Sequence, residues 1–230
     1  MNLDLNTERL TKVNNDILKN IFSNYNATQI KFFLMLLNKA ITLHYASTDE
    51  RVQEEVLDFL EINLPISFIN KYKGNKHLTK NEIFNIFESL NILFKFENNN
   101  GDLIAFPIID TMCFYNSENK ISVTLREEAL EYLVLVSKNY TCLDLNFIKD
   151  LKGKYEVGLY MLVSMYSGLN NKRKFFSMEE LKEFFDVFGS NNDLLKYIKK
   201  AQCSLNNKGL KFELTQIKNG RTVSQLLLLM

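Results

Sequence analysis

Lysine, arginine and asparagine side chains are grouped at three places in residues 171–230. Lysine and arginine neutralise phosphate groups, and arginine and asparagine also hydrogen-bond to base edges, so such groups are typical of nucleic-acid contacts. The groups are a loop (Lys172, Arg173, Lys174), a helical segment with the residues before it (Ser190, Asn191, Asn192, Lys196, Lys199, Lys200) and a turn (Lys218, Asn219, Arg221).

The helical group has a spacing that places its lysines away from the core. Lys196, Lys199 and Lys200 follow an i, i+3, i+4 pattern opposite an apolar stripe that runs from Leu194 to Leu205. A lysine face alone is typical of a solvated surface. The distribution of charge along the chain is a second observation: residues 139–230 carry 14 Lys and Arg against 9 Asp and Glu, whereas residues 1–138 carry 14 against 18. A net +5 beside a net −4 favours an anionic partner for the C-terminal half.

The elements that must position these groups follow in a recognisable order. Helical patterns over 155–167 and 193–205 enclose a helix that begins with the capping box Ser177-x-x-Glu180 and ends near residue 185. Two apolar runs then flank Asn219-Gly220, which predicts a hairpin with a type I′ turn. Three helices closed by a hairpin form a winged helix, with the third helix as the recognition helix and the hairpin as the wing.

A looser version of the same order precedes it. The patterns predict a helix over 28–45, a short apolar piece at 66–69, two hairpins, and helices that begin with the capping boxes Thr79-x-x-Glu82 and Thr124-x-x-Glu127. The first hairpin, 92–96 with 103–108, would have the wing tip NNNGD at 98–102. The chain is therefore predicted to be α+β, with two tandem winged-helix domains over 1–138 and 139–230.

The first domain has weaker signs of DNA contact. A basic loop and the helix start after it supply auxiliary candidates, which are Lys71, Lys73, Lys76 and Lys80. The predicted wing tip carries an acid and no base, so a dimer interface or a partner-binding role remains an alternative for this half.

Patterns that would indicate catalysis or a cofactor are missing from the sequence. It has two histidines without a ligand partner at metal-binding spacing, no phosphate-binding glycine loop, and no His-x-His pair of the kind a DNA-nicking initiator needs. Its three cysteines are widely spaced and are expected to be buried, reduced thiols. We expect no enzyme, no metal and no cofactor. Neither a signal peptide nor a membrane-spanning run is visible, which predicts a cytoplasmic protein.

Several segments resemble one family. LNFIKDLKGKYEVGLYMLVSMY (145–166), FFSMEELKEFFDV (175–187) and the wing motif K-x-G-R-x-V are similar to the second half of the Rep initiator proteins of theta-replicating, iteron-bearing plasmids. The block ISVTLREEALEYLVLV (121–136) resembles the first winged helix of that family. Family members often have Ser and Arg where this chain has Gly153 and Gly158, which puts one DNA contact of the relatives in doubt here.

The resemblance implies an initiator that binds directly repeated sites in double-stranded DNA, helps to open the duplex and recruits host replication proteins. It also implies a homodimer, formed largely through the first winged helix, as the DNA-free or autoregulatory form. Two alternatives remain open: a winged-helix transcriptional repressor, which would bind inverted half-sites, and a primosome-type adaptor that mainly binds proteins.

Overall fold

The computed structural model describes residues 10–46, 60–73, 77–97, 103–134, 140–168 and 171–230. Its residues cluster into two units, and the chain passes from the first to the second between Asp150 and Leu151. Residues 21–23, although early in the chain, belong to the second unit. The boundary predicted at 138/139 therefore differs from the structural one. Residues 140–144 remain in the first unit because they form a strand that pairs with residues 10–14.

The first unit alternates helices with short antiparallel sheets. Its elements are β1 (Leu10–Asn14), α1 (Asn15–Asn24), α2 (Ala27–Ala46), β2 (Leu60–Pro65), α3 (Ile66–Lys73), α4 (Lys80–Glu88), β3 (Leu93–Glu97), β4 (Leu103–Pro107), β5 (Ile109–Tyr115), β6 (Lys120–Leu125), α5 (Glu127–Leu133), β7 (Tyr140–Asp144) and α6 (Leu145–Lys149). The sheets have the strand orders β1-β7, β3-β4 and β2-β6-β5.

The second unit is a winged helix. Its elements are α7 (Lys154–Tyr166), β8 (Arg173–Ser177), α8 (Met178–Phe185), α9 (Asn191–Asn207), β9 (Glu213–Asn219) and β10 (Thr222–Leu229). The hairpin β9–β10 pairs through β10 with β8, in the order β8-β10-β9. Leu194, Ile198 and Leu205 of α9 are buried, as the predicted stripe requires, and Leu226 and Leu228 of β10 are buried too.

The same topology recurs in the first unit and corrects one prediction. There α2, β2, α3 and α4 are followed by a sheet β2-β6-β5, which matches β8-β10-β9 strand for strand. The wing of the first unit is thus β5–β6, with the turn 116–119 at its tip, and β3–β4 is an additional hairpin before it. The predicted tip NNNGD lies outside the described residues.

Two of the three predicted capping boxes are present. Thr79 accepts from the backbone N–H of Glu82, and Ser177 accepts from that of Glu180 at 3.0 Å, each with the reciprocal glutamate bond. The third prediction was wrong. Thr124 lies buried within β6, and α5 begins only after Arg126, because pairing of β6 with β2 continues to Leu125.

The cysteines are free but not buried. Cys113, Cys142 and Cys203 are all exposed, because each lies on the outward face of its strand or helix. The prediction of reduced, unpaired thiols fits this arrangement, and the prediction of burial was wrong.

Gly158 is in the core of the second unit, where its lack of a side chain is required. A Cβ at this position would lie 2.2 Å from Cε2 of Phe22 and 3.0 Å from Cε1 of Phe185. The Phe22 ring is itself held by stacking on Phe184 with a centroid distance of 4.7 Å. An arginine at 158 would therefore need the Phe22 ring to move away. Gly153 differs, since a Cβ there would have no neighbour within 4 Å.

Candidate nucleic-acid interface

Helix α9 presents its polar face to solvent over its whole length. Asn192, Lys196, Lys199 and Lys200 are exposed, whereas Leu194, Leu195 and Ile198, which lie between them in the sequence, are buried. The helix begins at Asn191 because Ser190 caps it: the Ser190 hydroxyl accepts from the backbone N–H of Asp193 at 3.2 Å and donates to the Asp193 carboxylate at 2.6 Å. Ser190 is thus engaged in starting the helix.

Side-chain amides fix both ends of α9 against the hairpin. At the N-terminus, Nδ2 of Asn191 donates to the carbonyl oxygen of Val223 at 3.4 Å. Near the C-terminus, Gln202 and Asn206 donate to the carbonyl oxygen of Phe212 at 3.4 and 3.3 Å. The N-terminus of α9 therefore lies at the wing end of the hairpin. In helix-turn-helix proteins, the N-terminal residues of the recognition helix are the ones that contact base edges in the major groove.

The turn of the wing is shifted by one residue from the predicted one. Asn219 remains in β9 and pairs with Thr222, so the two turn residues are Gly220 and Arg221. Gly220 has φ +63°, and a glycine at the first central position is typical of a type II′ turn. The shift places Arg221 at the tip itself. Lys218 pairs with Val223, so both exposed cations lie at the same end as the start of α9.

Lys199 and Lys200 lie on opposite flanks of the exposed face, because successive residues are about 100° apart around a helix. Lys199 lines a cavity of about 430 Å³ between α9 and the hairpin, with Glu213 and Gln216. Lys200 lines a cavity of about 240 Å³ between α9 and the start of α7, with Lys152 and Tyr197. Lys196 lies between the two flanks.

A pair of stacked tyrosines forms the wall of the smaller cavity. The rings of Tyr155 and Tyr197 are 4.7 Å apart at their centroids and inclined by 11°. Burial, with a smaller contribution from Tyr197, raises the pKa of Tyr155 above its usual value. Burial lowers the pKa of the neighbouring Lys154, and the Asp186 carboxylate partly offsets this.

The prediction of a basic loop over 172–174 was wrong in part: Lys172 precedes β8, whereas Arg173 and Lys174 are the first two residues of that strand. The group lies at the end of the sheet away from the wing turn. Arg173 pairs with Leu229, and the backbone N–H of Met230 donates to the carbonyl oxygen of Lys172 at 3.1 Å. Eight residues of β10 separate that point from the turn, which is roughly 25 Å of extended chain. Lys174 is half-buried, with its ammonium 5.4 Å from the ring centroid of Tyr166. The structure does not bring this group together with Lys218 and Arg221.

In the first unit, one of the four predicted cations lies at the wing. Lys80 is the first residue of α4, and its ammonium donates to Oδ1 of Asn116, in the β5–β6 turn, at 2.6 Å. It also lies 5.3 Å from the centroid of the Phe114 ring. The backbone of Lys71 and Lys73 belongs to the last turn of α3, but their side chains lie outside what the structure describes, as does the whole of Lys76.

Sequence reasoning missed two aromatic residues on these surfaces. Tyr197 is 47% exposed between Lys196 and Lys199, and Phe188 is 98% exposed just before the cap of α9. The sequence did contain a signal for each. Tyr197 is an aromatic residue between two lysines, and Phe188 is an aromatic residue in a turn that joins two capped helices.

Comparison with known proteins shows which family the chain belongs to. Residues 10–164 match the family model described as "Initiator Replication protein, WH1". The chain belongs to the family of initiator replication proteins. The resemblance inferred from its motifs is therefore confirmed.

Solved structures of other proteins share the fold. The Pi initiator protein, solved in complex with iteron DNA, superposes with a TM-score of 0.62 at 16% sequence identity, covering 97% of both chains. Domains 2 and 3 of RctB superpose with a TM-score of 0.50 at 9% identity, covering 87% of this chain and 81% of that one. Comparison with curated proteins finds no match. The tandem winged-helix prediction is confirmed by these relatives.

Two further observations bear on function. In the described part of the chain, no three His, Cys, Asp or Glu side chains are grouped closely enough to hold a metal ion. None of the described helices is long and apolar enough to cross a membrane.

Proposed function

We propose that this initiator replication protein starts plasmid replication by binding directly repeated sites, or iterons, in double-stranded origin DNA. The observation that carries the proposal is the second unit: a lysine face on α9 whose N-terminus is tied to a wing with Lys218 and Arg221 at its end. That Pi, with the same fold over nearly its whole length, was solved with iteron DNA supports the choice of ligand.

The second winged helix would make the main sequence-specific contacts. Helix α9 would lie in the major groove, with Asn192 on base edges and Lys196, Lys199 and Lys200 on phosphates. Lys218, Asn219 and Arg221 would reach the backbone or the minor groove beside it. Ser190 and Asn191 would support the helix rather than read bases, because their side chains are already bonded within the unit.

The remaining basic residues would contact the DNA backbone beside the stretch that α9 and the wing bind. Lys172, Arg173 and Lys174 would meet phosphates at a distance from the wing, and Lys71, Lys73, Lys76 and Lys80 would supply auxiliary contacts from the first domain. That domain would also form the homodimer of the DNA-free or autoregulatory state. Duplex opening and recruitment of host replication proteins would follow binding, in the cytoplasm and without catalysis or a cofactor.

Footprinting on the DNA that flanks the gene tests the proposal. We expect protection of direct repeats spaced by one or two helical turns, with affinity that falls steeply as salt rises because bound phosphates release counterions. Protection of inverted half-sites would favour a transcriptional repressor, because a two-fold dimer reads inverted sites. Absence of protection, with binding to host proteins retained, would favour an adaptor and overturn the proposal.

A further inference from the structure

Phe188 is an aromatic side chain that nothing in its own unit covers. It is 98% exposed, whereas Phe175, the next most exposed phenylalanine among the described residues, is 51% exposed. Full burial of a phenylalanine side chain is favourable, because its apolar surface leaves water. Phe188 obtains none of this within the unit, so an apolar surface is available there for a ligand.

The turn that carries Phe188 is fixed at both ends. Asp186 ends α8 in the left-handed conformation with φ +51°, and the backbone N–H of Val187 donates to the carbonyl oxygen of Lys182 at 2.9 Å. Two residues after Phe188, the reciprocal bonds between Ser190 and Asp193 start α9. Phe188 therefore projects from a short, hydrogen-bonded connection between two helices.

The position of this turn places Phe188 beside the DNA-contacting end of the unit. It precedes the cap of α9 by two residues, and the first residue of α9 is bonded to Val223, which pairs with Lys218. In helix-turn-helix proteins the residues at this end of the recognition helix meet base edges in the major groove.

Most of the polar side chains next to Phe188 that were predicted to contact DNA are engaged in hydrogen bonds within the unit. Ser190 and Asn191 have their side chains engaged inside the unit, and Asn192 is the exposed amide that follows them. The edges that bases present in the major groove are polar except for the C5-methyl group of thymine, which apolar side chains contact.

We propose that Phe188 packs against the C5-methyl group of a thymine in each repeat and so contributes to sequence specificity. The inference rests on the proposed function, since it requires that the second unit binds duplex DNA through α9. The basic wing at the same end favours DNA over an apolar protein surface as the occupant, because Lys218 and Arg221 complement the phosphates that flank such a thymine.

A double-mutant cycle between protein and DNA tests it. The probe is a duplex of one protected repeat, in which each thymidine in turn is replaced by deoxyuridine, which lacks the methyl group. We expect Phe188→Ala to weaken binding about tenfold on the unmodified duplex. One deoxyuridine position should weaken the wild-type protein similarly and leave Phe188→Ala unaffected. The slope of affinity against salt should not change, because phenylalanine neutralises no phosphate.

Phe175→Ala is the matched control, because Phe175 is half-exposed on β8, toward the end of the sheet away from the turn. It should bind every duplex as the wild type does. Unchanged affinity of Phe188→Ala, or a loss that couples to no thymine position, would overturn the inference. Failure of the wild-type protein to bind the repeats would instead overturn the proposed function. The melting temperature of Phe188→Ala should equal that of the wild type, since removing a side chain that is 98% exposed leaves the core intact. A loss of binding in this variant is then not caused by misfolding.

Discussion

Asn191, the first residue of α9, donates a hydrogen bond to the carbonyl oxygen of Val223 in β10. This contact sets the recognition helix against the wing at the end where both carry exposed polar and cationic side chains. Helix and wing can therefore meet one stretch of DNA together.

Arg221 at the tip of the wing should contribute to DNA affinity and not to folding. Arg221→Ala should weaken binding to the repeats and reduce the salt slope by about one, because one phosphate contact is lost. Titration at several salt concentrations measures both effects. Lys211→Ala is the control, because Lys211 is exposed near the opposite end of the hairpin. Equal losses in the two variants would contradict the assignment of the wing.

Lys199 and Lys200 should contact phosphates of different strands, since they lie on opposite flanks of α9. Each alanine variant should weaken binding, and the double variant should lose the sum, because the two lysines share no partner. Methylphosphonate groups placed at one phosphate at a time should show the division: each variant becomes insensitive at one phosphate, and these two phosphates belong to different strands. Sensitivity lost on the same strand in both variants would count against this geometry.

Ser190 should act as a helix cap and not as a base reader. Ser190→Ala should destabilise the protein by about 1 kcal/mol, the usual cost of losing an N-cap. Ser190→Asn should restore the melting temperature and also most of the DNA affinity, because an asparagine caps equally well and adds no charge. If the asparagine variant regains stability and still fails to bind, the serine hydroxyl itself contacts DNA.

Gly158 should tolerate no side chain while Phe22 keeps its place. Gly158→Ala should destabilise the protein by about 1–3 kcal/mol, the cost of overpacking a core, because the new Cβ collides with the Phe22 ring. Denaturant unfolding measures the change. Gly168→Ala, with no neighbour within 4 Å of the added carbon, should stay within about 0.5 kcal/mol of the wild type. Gly158→Ala together with Phe22→Leu should recover part of the loss.

Predictions from local sequence patterns were correct where contacts within a few residues decide the structure, and wrong where strand pairing decides it. The boxes at Thr79 and Ser177 form because serine or threonine followed by glutamate satisfies the first N–H groups of a helix. The same pattern at Thr124 failed because ladder pairing with β2 holds that residue in a strand. Likewise, Asn219-Gly220 predicted a turn, yet its register moved by one residue because Asn219 pairs with Thr222.

The sequence by itself determined the winged-helix order of elements and the lysine face of α9, because hydrophobic periodicity, caps and turn residues act over a few positions. The family followed from the resemblance of its motifs. Only the tertiary structure decided which of the basic groups lie together. Antiparallel pairing of β8 with β10 separates Lys172–Lys174 from the wing tip, and the bond from Asn191 to Val223 joins α9 to it. Such distances depend on strand register and on contacts between residues far apart in the chain, which no local pattern encodes.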